Sequence, residues 1–147
     1  MAETTREYSA QTNGILVRVA SFYLEDQSTP EARRFVWAYR IVIENRGHQT
    51  VQLLRRSWEI TDATGRTFRV EGEGVVGEQP VLEPGEAFEY TSGTPLETPS
   101  GFMVGKYHMI THGTGPAVAL ASPEGEPFDV AIPAFSLDSP HESGRVH

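Results

Sequence analysis

Hydrophobic and polar side chains alternate with a period of two along several stretches of the chain, most clearly over residues 35–44. There the large apolar side chains take every second position, and they are Phe35, Trp37, Tyr39, Ile41 and Ile43. Successive side chains of a strand point to opposite faces, whereas a helix would scatter these five around its circumference. The spacing therefore predicts a β-strand with one strongly apolar face.

The same pattern recurs in short stretches that are separated by turns rich in glycine and proline. Together with residues 35–44 they number about eight, the others being residues 15–24, 51–61, 67–70, 87–91, 103–110, 117–121 and 128–132. No stretch has the apolar spacing of an amphipathic helix. Leu54, Trp58 and Ile60 share one parity, so Trp58 is predicted to lie in the core, as is Trp37.

Many short strands joined by turns are typical of a fold built from two packed sheets. We therefore predict an all-β fold, an antiparallel β-sandwich of the immunoglobulin/fibronectin-III-like type. The chain contains no cysteine, so it lacks the disulfide of antibody domains, and this favours the fibronectin-III-like version.

The length of 147 residues fits one domain. Residues 1–13 are polar and aperiodic and are predicted to form a flexible N-terminal arm. The sandwich is predicted to span residues 14–137. Residues 138–147 are again polar and are predicted to form a flexible C-terminal tail.

Charge and composition narrow the classes of function. Twelve basic residues against 20 acidic ones give a net charge of −8, which argues against a nucleic-acid binder and against a polybasic membrane-docking protein. Without cysteine there is no thiolate metal site and no cysteine nucleophile. No apolar run approaches the ~20 residues of a membrane span, and the N-terminus has no apolar leader, so we expect a cytoplasmic protein without membrane insertion.

The acidic residues are unevenly distributed. Residues 1–70 carry ten basic and eight acidic side chains, whereas residues 71–147 carry two basic and twelve acidic ones. The segment 71–89 alone holds six glutamates and no lysine or arginine. Because Mg²⁺ and Ca²⁺ prefer oxygen ligands, we expect weak, diffuse attraction of divalent cations there, against the simpler interpretation of a solvated acidic face.

A glycine pattern lies at the start of this acidic segment. Gly72, Gly74 and Gly77 fit G-x-G-x-x-G, which binds the pyrophosphate of dinucleotides where the loop opens a helix. Pro80 and Pro84 prevent that helix, and neighbouring glutamates repel phosphate. The pattern therefore favours a tightly turning loop at a sheet edge, with a backbone nest for an anion as the alternative.

The candidate metal and catalytic residues show no established spacing. His108 and His112 would lie ~13 Å apart on a strand, too far to bind one ion, so no metal ligands are assigned. Neither G-x-S-x-G nor H-E-x-x-H occurs, and Ser92 and Ser100 belong to no triad that spacing can reveal. We expect a protein that is not an enzyme and that needs no cofactor.

A basic group lies in the first half of the chain. Arg46, Arg55 and Arg56 accompany Trp58 and are predicted to dock an acidic partner, because arginine pairs and stacks well at interfaces. The alternative is that Trp58 belongs to the core and the arginines are ordinary surface residues.

Several blocks of sequence resemble one known family. They are RRSWEITD (residues 55–62), GEGVVGEQP (72–80), LEPGE (82–86), YTSG (90–93), GFM (101–103) and IPAF (132–135). In this order they resemble the ApaG domain family over residues 9–137. The resemblance implies a fibronectin-III-like sandwich. It also implies a link to cobalt resistance and cobalt/magnesium efflux, for which bacterial members carry the alternative name CorD.

The resemblance also bears on partners and ligands. In eukaryotes the domain is appended to an F-box protein and to a polymerase-delta-interacting protein, where it resembles an interaction module. The family's glycine motif, discussed as a pyrophosphate site, falls on Gly72, Gly74 and Gly77.

We therefore predict a non-catalytic module that binds a protein or a small ligand, with sheet edges open to strand addition. The alternative is a nucleotide- or pyrophosphate-binding protein that uses the glycine loop with the help of a metal. A third hypothesis is a regulatory role in cobalt/magnesium homeostasis.

Overall fold

The computed structural model describes residues 6–112 and 125–141. They form the strands β1 (Glu7–Thr12), β2 (Ile15–Tyr23), β3 (Phe35–Asn45), β4 (Thr50–Asp62), β5 (Thr67–Glu73), β6 (Val81–Leu82), β7 (Ala87–Leu96), β8 (Gly101–His112) and β9 (Pro127–Leu137). Two short 3₁₀ turns, Glu25–Gln27 and Pro30–Ala32, connect β2 to β3. Within these residues no helix is long and apolar enough to cross a membrane.

The strands form two antiparallel sheets. Sheet 1 has the order β1-β2-β3-β7, and sheet 2 has the order β5-β4-β8-β9, with β6 paired to β4. The inner faces of the two sheets meet in one core that contains Trp37, Trp58, Tyr107 and Phe135. The predicted immunoglobulin/fibronectin-III-like β-sandwich is confirmed, and so is the burial of both tryptophans.

The N-terminal segment corrects one prediction. Residues predicted as part of a flexible arm form β1, which pairs with β2 in a register that places Tyr8 opposite Val19. Tyr8 packs against the core, with its ring centroid 6.3 Å from that of Phe135. An edge strand needs only one half-buried face, so its polar sequence gave no apolar stripe. The prediction is therefore wrong for Glu7–Thr12, and residues 1–5 lie outside the described residues.

The C-terminal segment corrects a second prediction. The residues that follow β9 were predicted to begin a flexible tail, but Trp37 donates its indole N–H to the carbonyl oxygen of Asp138 at 2.8 Å. Ser139 Oγ donates to the carbonyl oxygen of Pro99 at 2.6 Å. Because a buried indole N–H needs an acceptor, the chain is held against the sandwich here. Residues 142–147 and the strand predicted at 117–121 lie outside the described residues.

A β-bulge in β4 changes which residues face the core. Pairing with β8 shifts between Leu53 and Arg55, so one extra residue is accommodated. Val51 and Leu53 are buried before the bulge, and Trp58 and Ile60 after it. Leu54 lies at the shift and is only half-buried, so the prediction that it shares the core face with Trp58 is wrong.

The two lateral sides of the sandwich differ. On one side β9 is joined to sheet 1 by hydrogen bonds, since Ser21 Oγ donates to the carbonyl oxygen of Ser136 at 2.9 Å and the Ser136 amide donates to Tyr8 Oη at 3.3 Å. On the other side the sheets end in β7 and β5. A groove lies between these two edge strands, and the glycine motif lies at the end of β5.

Candidate functional site

The glycine motif folds as a turn. Val75 and Glu78 exchange two backbone hydrogen bonds of 2.8 Å, and the two residues between them, Val76 and Gly77, have φ values of 43° and 81°. Positive φ at both central positions defines a type I′ turn. This agrees with the predicted tight turn at a sheet edge. We call residues 72–78 the glycine turn.

Backbone amides of the glycine turn already have acceptors within the protein. The Gly74 amide donates to the carbonyl oxygen of Leu54 at 2.8 Å, and the amides of Val75 and Glu78 bond each other's carbonyl oxygens. A phosphate nest needs several free, converging N–H groups. These three amides are therefore not available to an anion.

Arg56 lies against the glycine turn. Its Nη1 donates to the carbonyl oxygens of Glu73 at 3.1 Å and Gly74 at 2.7 Å. A Cβ at Gly72 would lie 3.0 Å from both terminal nitrogens of this guanidinium, and a Cβ at Gly74 would collide with the Glu78 carbonyl oxygen. Two of the motif's glycines are thus explained by close packing. The pattern placed Arg56 and the glycines in separate candidate sites, whereas the structure makes them one unit.

A cavity of 230 Å³ adjoins this unit and reaches between the sheets. Arg56 shares it with the side chains of Tyr39, Tyr90 and Ser92, and with Glu73 at the rim. Burial raises the pKa of Tyr39, against the opposing effects of a hydrogen bond with Ser92 and the charge of Arg56. Within the described residues Arg56 forms no ion pair, and its guanidinium donates hydrogen bonds to the carbonyl oxygens of Glu73 and Gly74.

The other two arginines of the predicted partner site lie elsewhere. Arg46 is in the turn between β3 and β4, with its Nε 3.3 Å from Glu44 Oε1. Arg55 is on the outer face of sheet 2, with its Nη2 3.5 Å from Glu71 Oε1. Since consecutive residues of a strand face opposite ways, Arg55 points outward and Arg56 inward. The structure therefore does not bring the three together in one surface.

The histidines and glutamates singled out in the sequence also remain apart. His108 bonds Ser57 and Asp129, whereas His112 bonds Gln52 Oε1 at 2.8 Å. Over residues 6–112 and 125–141, no three His, Asp or Glu side chains are grouped so that they could hold a metal ion.

The groove on the open side is a site that the sequence pattern did not reveal. Its floor is apolar and its rim is charged, and we call it the lateral groove. It has a volume of 580 Å³ and is lined by Ala32, Arg33, Arg34, Ile60, Asp62, Arg66, Phe68, Val70, Thr94, Pro95, Leu96 and Glu97. Phe68 is 40% and Val70 is 41% exposed, although both are large apolar residues on a strand. In the sequence, Phe68 and Val70 alternate with polar residues beside Arg66 and Arg69. This pattern predicted the return strand of a hairpin but not the groove.

The edge of β5 runs along this groove. Among residues 6–112 and 125–141, strand β5 pairs with β4 on one side only, so within this part of the chain the backbone groups of its other edge have no strand partner and can pair with a further strand. Arg66 covers part of the floor, with its guanidinium 5.1 Å from the ring centroid of Phe68. The same guanidinium is 3.8 Å from Glu97 Oε1, while Arg33 and Arg34 form no ion pair within the described residues.

The fold and these sites define a small antiparallel β-sandwich with an arginine-bound glycine turn and one open lateral side. A family model described as the ApaG domain matches residues 25–111. The chain therefore belongs to the ApaG domain family.

Relatives match over nearly the whole chain. Protein ApaG of Paramagnetospirillum magneticum is 59% identical over 140 residues, which cover 95% of this chain and 99% of the relative. Protein ApaG of Rhodospirillum centenum is 61% identical over 138 residues, covering 94% and 98%. The crystal structure of an ApaA-designated protein from Bordetella pertussis has a TM-score of 0.76 at 42% identity and covers 86% of this chain and 94% of that one.

Proposed function

We propose that this chain is a protein-binding module whose partner adds an extended segment to the free edge of β5. The observation that carries the proposal is the pair of exposed apolar side chains, Phe68 and Val70, on a strand with one unpaired edge. In such complexes main-chain hydrogen bonds supply affinity, and every second side chain of the added strand enters the adjoining groove. Binding of this kind needs no reaction and no cofactor.

The lining of the lateral groove specifies the kind of segment that fits. Ile60, Phe68, Val70 and Leu96 offer apolar surface, so the inward side chains of the added strand are apolar. The free guanidinium groups of Arg33 and Arg34 favour a carboxylate at the end nearest to them. The expected ligand is thus a short strand of alternating apolar residues with an acidic residue at one end.

The test selects peptides from a random library on the immobilised protein and maps the best binder by backbone NMR. We expect alternating apolar sequences with an acidic end, and chemical-shift changes concentrated in β5 and in residues 94–97. Phe68→Ser combined with Val70→Ser should weaken the peptide at least tenfold, since the two side chains form the floor. Phe102→Ser is the matched control, because Phe102 is 46% exposed on a strand paired on both sides. Equal weakening by the control, or shifts confined to other strands, would refute strand addition at this edge.

A second candidate function is binding of pyrophosphate or a nucleotide beside the glycine turn. It is favoured by the half-buried charge of Arg56 at a cavity that also holds the hydroxyl groups of Tyr39 and Ser92. The negative charge of Glu73, one of the lining residues, opposes a bare phosphate, and a bound Mg²⁺ would relieve that repulsion. Calorimetric titration with pyrophosphate and ATP, each with and without Mg²⁺, tests this candidate. Micromolar binding that Arg56→Ala abolishes and Arg55→Ala preserves would support it, and no heat with any of the four would reject it.

The cobalt/magnesium association implied by the family resemblance is compatible with the proposed protein-binding function if the role of this chain is regulatory. We propose that this regulatory role is exercised in the cytoplasm, through the partner that binds at the lateral groove. Titration with Co²⁺ followed by NMR separates this from direct metal binding. Paramagnetic broadening confined to a few residues would favour a direct site, whereas weak broadening spread over residues 71–89 would favour the indirect role.

A further inference from the structure

Three side chains on the outer face of sheet 2 form a continuous hydrogen-bonded chain. Ser57 Oγ lies 2.8 Å from His108 Nε2, and His108 Nδ1 lies 2.8 Å from Asp129 Oδ1. The three residues belong to the adjacent strands β4, β8 and β9, with His108 directly opposite Asp129 in the register. Sequence spacing could not reveal this group, because its members are 51 and 21 residues apart.

The chemistry of the three groups fixes the positions of the protons. An ionised carboxylate only accepts hydrogen bonds, so His108 Nδ1 carries the hydrogen and donates it to Asp129. In the neutral imidazole Nε2 is then the acceptor, and it receives the hydroxyl hydrogen of Ser57. This is the tautomer in which a histidine can take the proton of a serine nucleophile, and Asp129 stabilises the imidazolium that results.

Ser57 is open to a small substrate. A cavity of 550 Å³ lies over it and is also lined by His108, Arg55 and Lys106. Lys106 lies directly opposite Ser57 in the register, and Arg55 lies two residues along β4 on the same face. Arg55 is paired with Glu71 at 3.5 Å and Lys106 with Asp129 at 4.0 Å, and both cations lie where they favour the negative charge that develops on a substrate oxygen during attack. Ser57 pairs with β5 and β8 alike, so its own backbone lies within the sheet rather than at a free turn.

We infer that Ser57 is a nucleophile activated by His108 and Asp129, and that it accepts the acyl group of small esters with a good leaving group. Ser57 Oγ bonds to the ester carbonyl carbon while the hydroxyl proton passes to His108 Nε2. The bond from that carbon to the leaving oxygen breaks, and the leaving oxygen takes the proton from His108. Water releases the acyl group as a carboxylic acid by the same two steps, and Ser57 regains its proton.

This reactivity goes beyond the proposed binding function and uses the opposite face of sheet 2 from Phe68 and Val70. It also departs from the expectation that the protein is not an enzyme, which rested on motifs and on spacing along the sequence. The triad has an orienting carboxylate and a base but lacks a preformed turn of free amides at Ser57. We therefore expect slow acylation with a long-lived acyl-serine.

The test incubates the protein with 4-nitrophenyl acetate, follows release of the nitrophenolate, and locates the acetyl group by peptide mass spectrometry. We expect one acetyl group on Ser57. Ser57→Ala should abolish this adduct, and His108→Gln should slow its formation at least tenfold. Ser100→Ala and His112→Gln are the matched controls and should react as the unaltered protein does.

Asp129 is a positioning residue, because it acts through His108. Its test therefore needs a measurement that would not change if Asp129 had only a structural role. Asp129→Asn should slow acetylation about tenfold and should remove the downfield NMR signal of the His108 Nδ1 hydrogen. An acetyl group on Lys106 or on the N-terminal amine in place of Ser57, or an unchanged rate in Ser57→Ala and His108→Gln, would overturn the assignment. A rate that falls in His108→Gln alone would make His108 itself the nucleophile and would equally overturn it.

Discussion

The guanidinium of Arg56 donates a 2.7 Å hydrogen bond to the carbonyl oxygen of Gly74 and so fastens the glycine turn to β4. The space that the guanidinium occupies is left by Gly72, which has no side chain to block it. In this chain the G-x-G-x-x-G pattern therefore serves the packing of a protein cation, in the place where a dinucleotide-binding domain would hold a pyrophosphate.

Removal of Arg56 should destabilise the protein. Arg56→Ala deprives the carbonyl oxygens of Glu73 and Gly74 of a charged donor, and we expect the free energy of unfolding to fall by about 2 kcal/mol. Arg55→Ala removes only an exposed ion pair and should change it by less than about 1 kcal/mol. Urea denaturation of both variants measures the difference. Equal losses would show that the contact with the glycine turn contributes nothing.

The turn also contains a strained residue. Val76 has a φ of 43° and is 54% exposed, and a β-branched residue rarely adopts that conformation. Val76→Asn creates the Asn-Gly pair that type I′ turns prefer and should raise the free energy of unfolding by about 1 kcal/mol. Val81→Asn, at an exposed valine of β6, should bring no gain. Thermal unfolding of the two variants is the measurement, and an unchanged Val76→Asn would show that Val76 stores no strain.

A pair of phenols joins the two sheets in the core. Tyr90 Oη and Tyr107 Oη lie 2.6 Å apart, and both residues are buried. Tyr107→Phe leaves the Tyr90 hydroxyl without this partner, and we expect a loss of about 2 kcal/mol in the free energy of unfolding. The double variant with Tyr90→Phe removes both polar groups and should lose less than the two single losses together. Additive losses in a double-mutant cycle would show that the hydroxyl pair contributes no coupling.

The same phenols govern stability in alkali. Burial raises the pKa of Tyr90 and of Tyr107, so both keep their protons in the fold. Above pH about 10 the unfolded chain loses those protons. The unfolded state then binds fewer protons than the native state, so the free energy of unfolding falls as the pH rises. Denaturation of the unaltered protein and of the Tyr90→Phe/Tyr107→Phe variant between pH 9 and 11 should show a shallower decline in the variant, and parallel declines would contradict this.

The turn between β4 and β5 makes the stability of the protein depend on pH in acid. Asp62 Oδ1 accepts hydrogen bonds from the Thr64 hydroxyl at 2.7 Å and from the amides of Thr64 and Arg66 at 2.9 and 3.0 Å. The Thr64 hydroxyl, then these amides and the charge of Arg66, lower the pKa of Asp62 below its usual 3.8. This stability is present above the unfolded pKa and is lost as the pH falls through the lower folded pKa.

The Asp62→Asn variant should therefore be less stable than the unaltered protein at neutral pH. Its free energy of unfolding should fall less when the pH is lowered below about 4. Asp26→Asn, at an exposed carboxylate in a 3₁₀ turn, is the matched control and should follow the unaltered protein. Urea denaturation at a series of pH values compares the three. An Asp62→Asn curve parallel to that of the unaltered protein would show that Asp62 carries no such linkage.

The periodic part of the fold could be predicted because it is a local property of the chain. The apolar face of β3 follows from five large side chains at alternate positions, and it required no knowledge of any partner strand. Strand β1 was not predicted, because its residues are mostly polar and it is held in place by hydrogen bonds to β2. The change near Leu54 in which residues of β4 face the core was not predicted either, because a bulge depends on how β4 pairs with β8.

The candidate sites divide in the same way. The sequence by itself determined the tight turn at Gly77, the burial of Trp37 and Trp58, and the acidic second half, since each depends on nearby residues or on composition. Only the tertiary structure decided that Arg56 lies against Gly74, that Phe68 and Val70 remain exposed, and that Ser57 meets His108 and Asp129. These contacts depend on strand register and on which sheet edges lie side by side, and both result from packing of the whole chain rather than from any one segment.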